Sequence, residues 1–384
     1  MVAGVERVDV AVVGAGVIGS ATARALAARG VSAVLLEQFD PGHARGSSHG
    51  ATRIFRLAYP DPAYVRMAVA AHRSWLRLQA DAGEELLVRT GGLDAGPGAA
   101  DCAAALAECG VAHAWLEAGE LRARFPGVAV RAGERMLFQP DAGVSLAGRA
   151  VAALQRLAAR DGVPLRARTR VHDVEPHDDH VVLRTSGGDL TARVAVLAAG
   201  PWLGRLLPSA AGGRARLTAT LQQVRYFAAR DPACRWPTLI EWSQPGAGWY
   251  VVPAAGGAPG VKVASHLAGP AVNPDDGPFT AIGAAAELEA AAFVRQRLPG
   301  LVPAGLAPET CLYTMTADED FVLDRVGPVV VGGGCSGHAF KFGPLLGEML
   351  ADLAAGTEPG LPRGRFALSR PGLAGPAARP GGIP

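Results

Sequence analysis

The feature that most constrains this chain is a glycine-rich turn between a short apolar strand and a helix near the N-terminus. The run VDVAVV predicts a buried strand, and Gly14, Gly16 and Gly19 follow it in G-x-G-x-x-G spacing. The run ATARALAARG then predicts a helix, and VSAVLLE predicts a second strand that ends in Glu37. A strand, a glycine turn, a helix, a strand and an acid in this order predict a dinucleotide-binding site.

Each part of this unit has a mechanical role. Gly14 permits the tight turn, Gly16 lets a pyrophosphate approach the backbone, and Gly19 lets the helix pack closely on the strand. The helix N-terminus offers free N–H groups and a positive dipole to phosphates. Glu37 can accept hydrogen bonds from the adenosine ribose, which argues against a 2′-phosphate and hence against NADP. The motif does not separate NAD from FAD.

Length and composition indicate a globular protein of two domains. The chain has 384 residues, a length that is too great for one compact core. Of these residues 49% are hydrophobic and 19% charged, which is a globular composition. The net charge of +2 gives no reason to expect a nucleic-acid or membrane-surface partner. We expect no membrane span, because apolar runs are short. The five cysteines form no close pair and are odd in number, which predicts a reduced, cytoplasmic protein.

Several blocks resemble the monomeric sarcosine oxidase and N-methyltryptophan oxidase family of flavoproteins. The segment FDPGHARGSSHGATRIFRLAY follows the second strand, as a similar segment does in that family. Further matching blocks, in order, are FQPDAGV, VLAAGPWLGRLLP, VKVASH, TCLYTMTADEDFVLD and GGGCSGHAFKF. The last two are the most specific, because a generic FAD enzyme has no reason to carry both. The resemblance extends from Val8 to Arg370, which is nearly the whole chain.

The resemblance implies an α/β fold of the glutathione-reductase type, with a Rossmann-like FAD-binding domain and a substrate domain that contains a mixed β-sheet. It implies that both domains are discontinuous in sequence. The FAD-binding domain would comprise residues 1–85, 145–212 and 312–370, and the substrate domain residues 86–144 and 213–311. The remaining segment, 371–384, lacks periodicity, and we expect it to be a disordered tail.

The family also implies how the cofactor is held. Its flavin is bonded to the sulfur of a cysteine that precedes x-Tyr-Thr, and Cys311 stands in this position in CLYT. We therefore expect FAD to be covalently attached to Cys311, the alternative being a buried and inert cysteine. The same comparison places Val171 against the adenine. No metal is implied, and His172, His177 and His180 in VHDVEPHDDHVV are expected to lie on a solvated hairpin.

Four cations match charged site residues of the family. Arg56 and Lys341 resemble the pair that binds the substrate carboxylate, where arginine can donate two parallel hydrogen bonds. Lys262 and Arg53 resemble the two cations held against the flavin, and the family lysine at Lys262 helps oxygen to accept electrons. Surface or solvent-facing positions are the alternative for Arg56 and Lys262.

Uncharged polar residues also match positions around the flavin or substrate: His338, His266, His49, Tyr250, Tyr59 and Tyr313. His338 is the preferred contact to the reacting amine. For each of them a structural hydrogen bond is an equally good interpretation. No general base is assigned, because hydride loss from a neutral amine needs none.

Four positions differ from the close relatives. Ser48 stands where the relatives have a second histidine, and Ala51 where they have an acid. Gln222 stands where they have an arginine before the glutamine, and Cys335 where they often have an aromatic residue. These changes leave the cofactor chemistry credible and weaken the choice of sarcosine as substrate.

We therefore predict an enzyme, an FAD-dependent oxidase of N-methyl or cyclic secondary amino acids. It would form an imine, reduce O2 to H2O2 and act as a monomer on a small amino acid. Three alternatives stay open. They are a biosynthetic FAD oxidase that desaturates a specialised cyclic imino acid, a flavin dehydrogenase with an acceptor other than oxygen, and a non-catalytic flavin-binding partner protein.

Overall fold

The structure is a computed structural model, and it describes residues 6–207, 215–242, 248–267, 269–280 and 283–374. Its strands are β1 (Glu6–Val13), β2 (Ala33–Leu36), β3 (Thr52–Phe55), β4 (Leu87–Arg89), β5 (Gly92–Ala95), β6 (Ala114–Leu116), β7 (Met136–Gln139), β8 (Gly143–Leu146), β9 (Leu165–Arg166), β10 (Val171–Pro176), β11 (Val181–Thr185), β12 (Gly188–Leu197), β13 (Thr218–Ala229), β14 (Thr238–Glu241), β15 (Trp249–Val252), β16 (Val261–Ser265), β17 (Leu301–Met315), β18 (Val322–Val326) and β19 (Val329–Gly333). Its α-helices are α1 (Val17–Ala28), α2 (Pro62–Ala82), α3 (Ala99–Glu108), α4 (Ala118–Arg124), α5 (Ala147–Arg160), α6 (Leu203–Leu206), α7 (Ala284–Arg297) and α8 (Gly343–Ala355).

The first sheet has a parallel centre. β1 pairs in parallel with β2 and β12, β2 continues to β9, and β12 continues to β19. The β10–β11 hairpin and β18 add antiparallel strands at its margins. Because the central strands are covered on both faces, β1 is apolar at every position from Val10 to Val13. Helices α1, α5 and α8 pack together on one face of this sheet.

The second sheet is mixed, with the strand order β17-β13-β16-β15-β14-β5-β7-β6. Only β14 and β5 are parallel within it. A third sheet is antiparallel and has the strand order β3-β8-β4. The predicted α/β fold, with a dinucleotide-binding sheet and a mixed second sheet, is confirmed.

Local sequence signals account for the helix ends. Helix α2 begins after Asp61, whose carboxylate accepts a hydrogen bond from the N–H of Ala63 at 2.7 Å, and Pro62 occupies its first position. It ends at Gly83, which has φ of +66°. The alternating runs LTATLQQVRYFAA and GWYVVPA, a pattern that predicts strands, form β13 and β15, and the helical run AAAELEAAAFVRQRL forms α7.

The two larger sheets draw their strands mainly from different predicted domains. The ranges assigned to FAD binding supply the first sheet, while most of the second sheet comes from the ranges assigned to the substrate domain. The boundaries themselves stay a prediction. Residues 371–374, expected to begin a disordered tail, instead form a short 3-10 helix, and Leu373 is buried against the first sheet. Residues 375–384 lie outside the described residues. In the described part of the chain, no helix is long and apolar enough to cross a membrane.

Candidate active site

Two adjoining cavities mark the candidate site. The large cavity has a volume of about 510 Å³ and extends from the glycine turn to the loop after β19. The small cavity, of about 80 Å³, lies against one face of the second sheet. Arg53, Cys311, Tyr313 and Gly337 line both of them. These four residues therefore mark the junction of the two cavities.

The glycine turn has the geometry that its spacing predicts. Gly14 has φ of +99°, and a Cβ on Gly19 would lie 1.8 Å from the carbonyl oxygen of Gly14. A Cβ on Gly16 would meet only the side chain of Ser48, with its Oγ at 3.1 Å, and Gly16 lines the large cavity. Gly14 and Gly19 are thus required by the fold, whereas Gly16 keeps the cavity open.

Glu37 and Val171 line the large cavity as predicted for the adenosine end. The carboxylate of Glu37 accepts hydrogen bonds from the N–H groups of Ala15 at 2.9 Å and Phe39 at 3.0 Å. Burial opposes its ionisation, but His43 and these N–H groups outweigh burial and lower the pKa of Glu37. Glu37 is therefore an anion that faces the cavity at neutral pH.

A dinucleotide with a flavin fits this set of residues. Any side chain at position 16 would fill the space beside the turn. Helix α1 begins after Gly16, which has no side chain to cap the helix. Its N–H at Val17 donates to Ser48 at 3.0 Å. The pyrophosphate of FAD would be held at this turn, its adenosine by Glu37 and Val171, and its ring at the junction near Cys311.

One face of the second sheet supplies much of the small cavity. Side chains two positions apart on a strand point to the same side. Glu309, Cys311 and Tyr313 accordingly line the cavity from β17, and Tyr250 and Val252 line it from β15. Lys262 and His266 reach it from β16 and the residue that follows that strand.

Lys262 lies near Arg53, in the wall of the small cavity. Arg53 donates hydrogen bonds to the carbonyl oxygens of Thr52, Ser47 and His49 at 2.7–2.9 Å, so its position is fixed. Lys262 is 3% exposed, and its Nζ donates to the carbonyl of Thr52 at 3.2 Å. Burial, followed by Arg53, lowers the pKa of Lys262 to about 8.

Arg56 and Lys341, here called the cation pair, are each 3% exposed and line the small cavity. The guanidinium of Arg56 lies 4.1 Å from the ring centre of Tyr59, and it donates to the carbonyl of Ala58. Nζ of Lys341 donates to the carbonyl of His338 at 2.7 Å. Within the described ranges, no ion pair joins either cation to a carboxylate. The cation pair is therefore suited to bind an anion that enters the cavity.

The two histidines of the small cavity are uncharged. Burial, followed by Arg56 and Lys341, lowers the pKa of His266 to about 3. Burial and then Lys341 lower the pKa of His338 well below its ordinary value. Nδ1 of His338 lies 3.3 Å from the Tyr59 hydroxyl and Nε2 lies 3.2 Å from the carbonyl of Glu319. Both ring nitrogens of His338 thus have protein partners.

The tyrosines of the site are neutral as well. Burial raises the pKa of Tyr250 and of Tyr313, and the neighbouring Tyr250 raises the pKa of Tyr313 further. The Tyr313 hydroxyl lies 3.5 Å from Nδ1 of His266. His49, which lines the large cavity, contacts the carbonyl oxygen of Thr310 through Nε2 at 2.8 Å.

Two cysteines line the large cavity, Cys311 and Cys335. Burial raises the pKa of Cys335 to about 12. Burial also raises the pKa of Cys311, although Arg53 and Lys262 act in the opposite direction. Only Cys311 of the two also lines the small cavity.

Of the four positions that differ from the close relatives, Ser48 and Cys335 line the large cavity. Ala51 and Gln222 line neither cavity. Gln222 is 3% exposed and pairs with Cys311 across β13 and β17. The hairpin that carries His177 and His180 is exposed as predicted, and the two rings stack on each other.

No role was predicted from the sequence for Glu309 or Tyr226, or for the buried group formed by Asp94, Gln139 and Trp242. Strand parity could have found Glu309, because it lies two residues before Cys311. A second signal is the lysine count. Of the 37 lysines and arginines in the chain, only Lys262 and Lys341 are lysines. The chain uses arginine everywhere except at two buried positions of the candidate site.

Comparisons with known proteins agree with this geometry. A family model described as FAD dependent oxidoreductase matches residues 9–353. The peroxisomal sarcosine oxidase of Mus musculus is 33% identical over 376 residues, which cover 94% of this chain and 96% of that protein. The monomeric sarcosine oxidase of Bacillus sp. (strain B-0618) is 32% identical, over 95% of this chain and 96% of its own length. The N-methyl-L-tryptophan oxidase of Salmonella heidelberg (strain SL476) is 30% identical, over 95% and 99%.

Among solved structures, the open form of NikD superimposes with a TM-score of 0.84 at 27% identity, over 94% of this chain and 97% of that one. NikD is described as an unusual amino acid oxidase that is essential for nikkomycin biosynthesis.

Proposed function

The chain belongs to the FAD-dependent oxidoreductase family and, within it, to the group of the sarcosine and N-methyltryptophan oxidases, and from this premise we propose that it oxidises small secondary amino acids with oxygen as the electron acceptor. We propose further that the flavin is bonded to Cys311. The substrate would lose two electrons and two hydrogens across its C–N bond and become an imine. Oxygen would take up the two electrons and two protons and become H2O2.

The observation that carries this proposal is the cation pair, Arg56 and Lys341. Two cations that are each 3% exposed and form no ion pair with a carboxylate among the described residues lack the close pairing that buried charges need. A substrate carboxylate would supply that compensation and would be fixed in one orientation by the arginine. The amine of the same molecule would then face the junction near Cys311.

The charges of the small cavity also favour the reactive form of the amine. Four cations line it, Arg53, Arg56, Lys262 and Lys341, against the single carboxylate of Glu309, and the two histidines are neutral. Nearby cations disfavour a protonated amine, so the bound substrate would lose its ammonium proton more readily. When bound, FAD supplies the acceptor of the hydride and the site at which oxygen is reduced. Lys262 would stabilise the negative charge that develops on oxygen.

The volume of the small cavity favours a small substrate. At about 80 Å³, it suits sarcosine, proline or pipecolate better than N-methyltryptophan. A biosynthetic role on a cyclic imino acid is the second candidate function. Two observations favour it, the similarity to NikD and the changed residues Ser48 and Cys335 in the wall of the large cavity. The monomeric state and the cytoplasmic location stay predictions.

The deciding experiment measures peroxide release in air by the purified holoenzyme with sarcosine, N-methyltryptophan, pipecolate, proline and glycine. Peroxide with a small secondary amine, and much less with glycine or N-methyltryptophan, is the expected result. If the substrate bleaches the flavin in the absence of oxygen but no peroxide forms in air, the electron acceptor is not oxygen. If neither signal is seen, the secondary amino acid assignment is wrong and the biosynthetic alternative takes its place.

A further inference from the structure

Glu309 places a carboxylate beside Lys262 in the wall of the small cavity. Its Oε1 lies 3.9 Å from Nζ of Lys262 and 3.8 Å from Nε2 of His49. The hydroxyl of Tyr226, a residue that is 2% exposed, donates a short hydrogen bond to its other oxygen. Glu309 belongs to β17 and lies on the same face as Cys311.

The surrounding backbone leaves room for this carboxylate at Gly50. Gly50 has φ of +88°, and a Cβ at this position would lie 2.3 Å from Oε1 of Glu309. Any other residue at position 50 would therefore both strain the backbone and displace the carboxylate. Tyr226 and Gly50 together fix where the negative charge of Glu309 lies.

The titratable groups around Lys262 come from five different segments. Arg53 acts on it from β3, Tyr226 from β13, and Cys311 and Glu309 from β17. Tyr250 lines the same small cavity from β15, and His49, in the loop before β3, lies beside Glu309. Burial raises the pKa of both tyrosines and of the cysteine, so these three are neutral.

His49 is neutral too, because burial, followed by Arg53, lowers its pKa. The charged groups that remain at neutral pH are the cations Arg53 and Lys262 and one anion, Glu309. Burial opposes the ionisation of Glu309, but Lys262, Tyr226, Arg53 and His49 outweigh burial and lower its pKa.

We propose that Glu309 is a positioning residue that keeps Lys262 in its ammonium form and thereby sets the upper pH limit for the reaction with oxygen. The second half of this proposal rests on the proposed oxidase function, whereas the first half concerns only the two side chains.

The direction of the effect follows from the charges. Burial and Arg53 both disfavour the ammonium of Lys262, and Glu309 acts against them. Because the pKa of Lys262 is lowered to about 8, its charge is present below that pH and is lost as the pH rises through it. Without the carboxylate, the loss would occur at lower pH, and Lys262 would be largely neutral at pH 7.5.

The test uses the lysine count of the chain. Holoenzyme produced with lysine labelled with ¹³C at Cε gives two lysine signals, because the chain has two lysines. Lys341→Met assigns them. The pH titration of the Lys262 signal is then compared between the wild type, Glu309→Gln and the matched control Glu287→Gln. Glu287 is 46% exposed and pairs with Arg225 on the far side of β13.

We expect the midpoint of Lys262 to fall by at least one pH unit in Glu309→Gln and to stay unchanged in Glu287→Gln. Tyr226→Phe keeps the carboxylate but removes its hydrogen bond, so it should give a smaller fall and serves if Glu309→Gln does not fold. In stopped-flow measurements at pH 8, reoxidation of substrate-reduced Glu309→Gln by oxygen should be at least fivefold slower than in the wild type, because a one-unit fall in the midpoint lowers the charged fraction of Lys262 by about that factor. Its rate should recover as the pH is lowered, and anaerobic reduction by substrate should change less than threefold.

An unchanged Lys262 midpoint in folded Glu309→Gln would overturn the proposal, whatever the activity. A lowered midpoint together with an unchanged oxygen rate would overturn its second half. Absence of any oxidase activity in the wild type would contradict the proposed function instead, and the titration would still decide whether Glu309 holds the charge of Lys262.

Discussion

Nζ of Lys341 donates a hydrogen bond to the hydroxyl of Tyr59 at 2.9 Å. Tyr59 is fully buried, and the face of its ring carries the guanidinium of Arg56 at 4.1 Å from the ring centre. One tyrosine therefore contacts both members of the cation pair, one through its hydroxyl and the other through its ring. This arrangement orients two cations toward the small cavity although they repel each other.

The first prediction concerns Lys341→Met. Loss of a charge-assisted hydrogen bond to a carboxylate costs about 1.5–3 kcal/mol, so KM for sarcosine or proline should rise roughly 10- to 150-fold. KM for a secondary amine without a carboxylate should change little. Steady-state kinetics measure both, with Arg66→Met as control because Arg66 is exposed. Equal effects on the two kinds of substrate would contradict a role in carboxylate binding.

The pH dependence of KM in the wild type tests the same residue, Lys341. Burial, followed by Arg56, lowers the pKa of Lys341 well below its ordinary value. The ammonium is lost as the pH rises, so KM for a carboxylate substrate should increase with pH. This increase should be absent in Lys341→Met.

The second prediction concerns a buried group beneath Arg56. The carboxylate of Asp94 accepts hydrogen bonds from Nε1 of Trp242 at 3.0 Å and from Nε2 of Gln139. The side-chain oxygen of Gln139 is already occupied by the N–H groups of Leu57 and Ala58, at 2.9 and 2.7 Å. Asp94→Asn would therefore place an NH2 group against another donor, and leaving a buried donor unpaired costs about 1–3 kcal/mol.

The size of this loss should depend on pH. Burial raises the pKa of Asp94 to about 6, above its value of about 3.9 in an unfolded chain. The free energy of unfolding of the wild type therefore falls, through this group, as the pH rises from about 4 to about 6. Asp94→Asn lacks this contribution, so its free energy of unfolding should fall further below that of the wild type at pH 4 than at pH 7. Urea unfolding at several pH values measures it, with Asp178→Asn, in the exposed hairpin, as control. A deficit independent of pH would show that Asp94 is ionised throughout.

The sequence predicts those parts of the molecule whose causes are local. The glycine turn, the two strands around it and the alternating strands β13, β15 and β16 follow from patterns within a few residues. The group of Asp94, Gln139 and Trp242 could not be predicted in this way, because three distant segments supply it. The positions of Arg56 and Lys341 came from a resemblance, since no local pattern shows that two cations far apart in the chain share one cavity. Glu309 was missed because its importance depends on the neighbouring strand, where Tyr226 lies.

The third prediction tests the attachment of the flavin. If the flavin is bonded to Cys311, acid-precipitated wild-type protein should stay yellow, and Cys311→Ala should release its colour into the supernatant. Cys335→Ala is the matched control, because Cys335 is a second cysteine in the wall of the same large cavity. Its precipitate should stay yellow. Absorbance of pellet and supernatant measures the outcome, and a colourless wild-type pellet would remove the covalent assignment.

The last prediction separates the two roles of glycine in the turn. In Gly19→Ala the new Cβ would lie 1.8 Å from the backbone oxygen of Gly14, a clash within the core that should cost more than about 3 kcal/mol and prevent stable folding. In Gly16→Ala the Cβ meets only Ser48, at 3.1 Å, and the backbone has φ of −69°. That variant should fold, with the circular dichroism of the wild type, yet bind much less FAD because its methyl group enters the large cavity. Gly119→Ala, where a Cβ meets nothing within 4 Å, should leave both properties unchanged. The ratio of flavin to protein absorbance measures the cofactor content. Full occupancy in Gly16→Ala would mean that the pyrophosphate does not approach the backbone at this glycine.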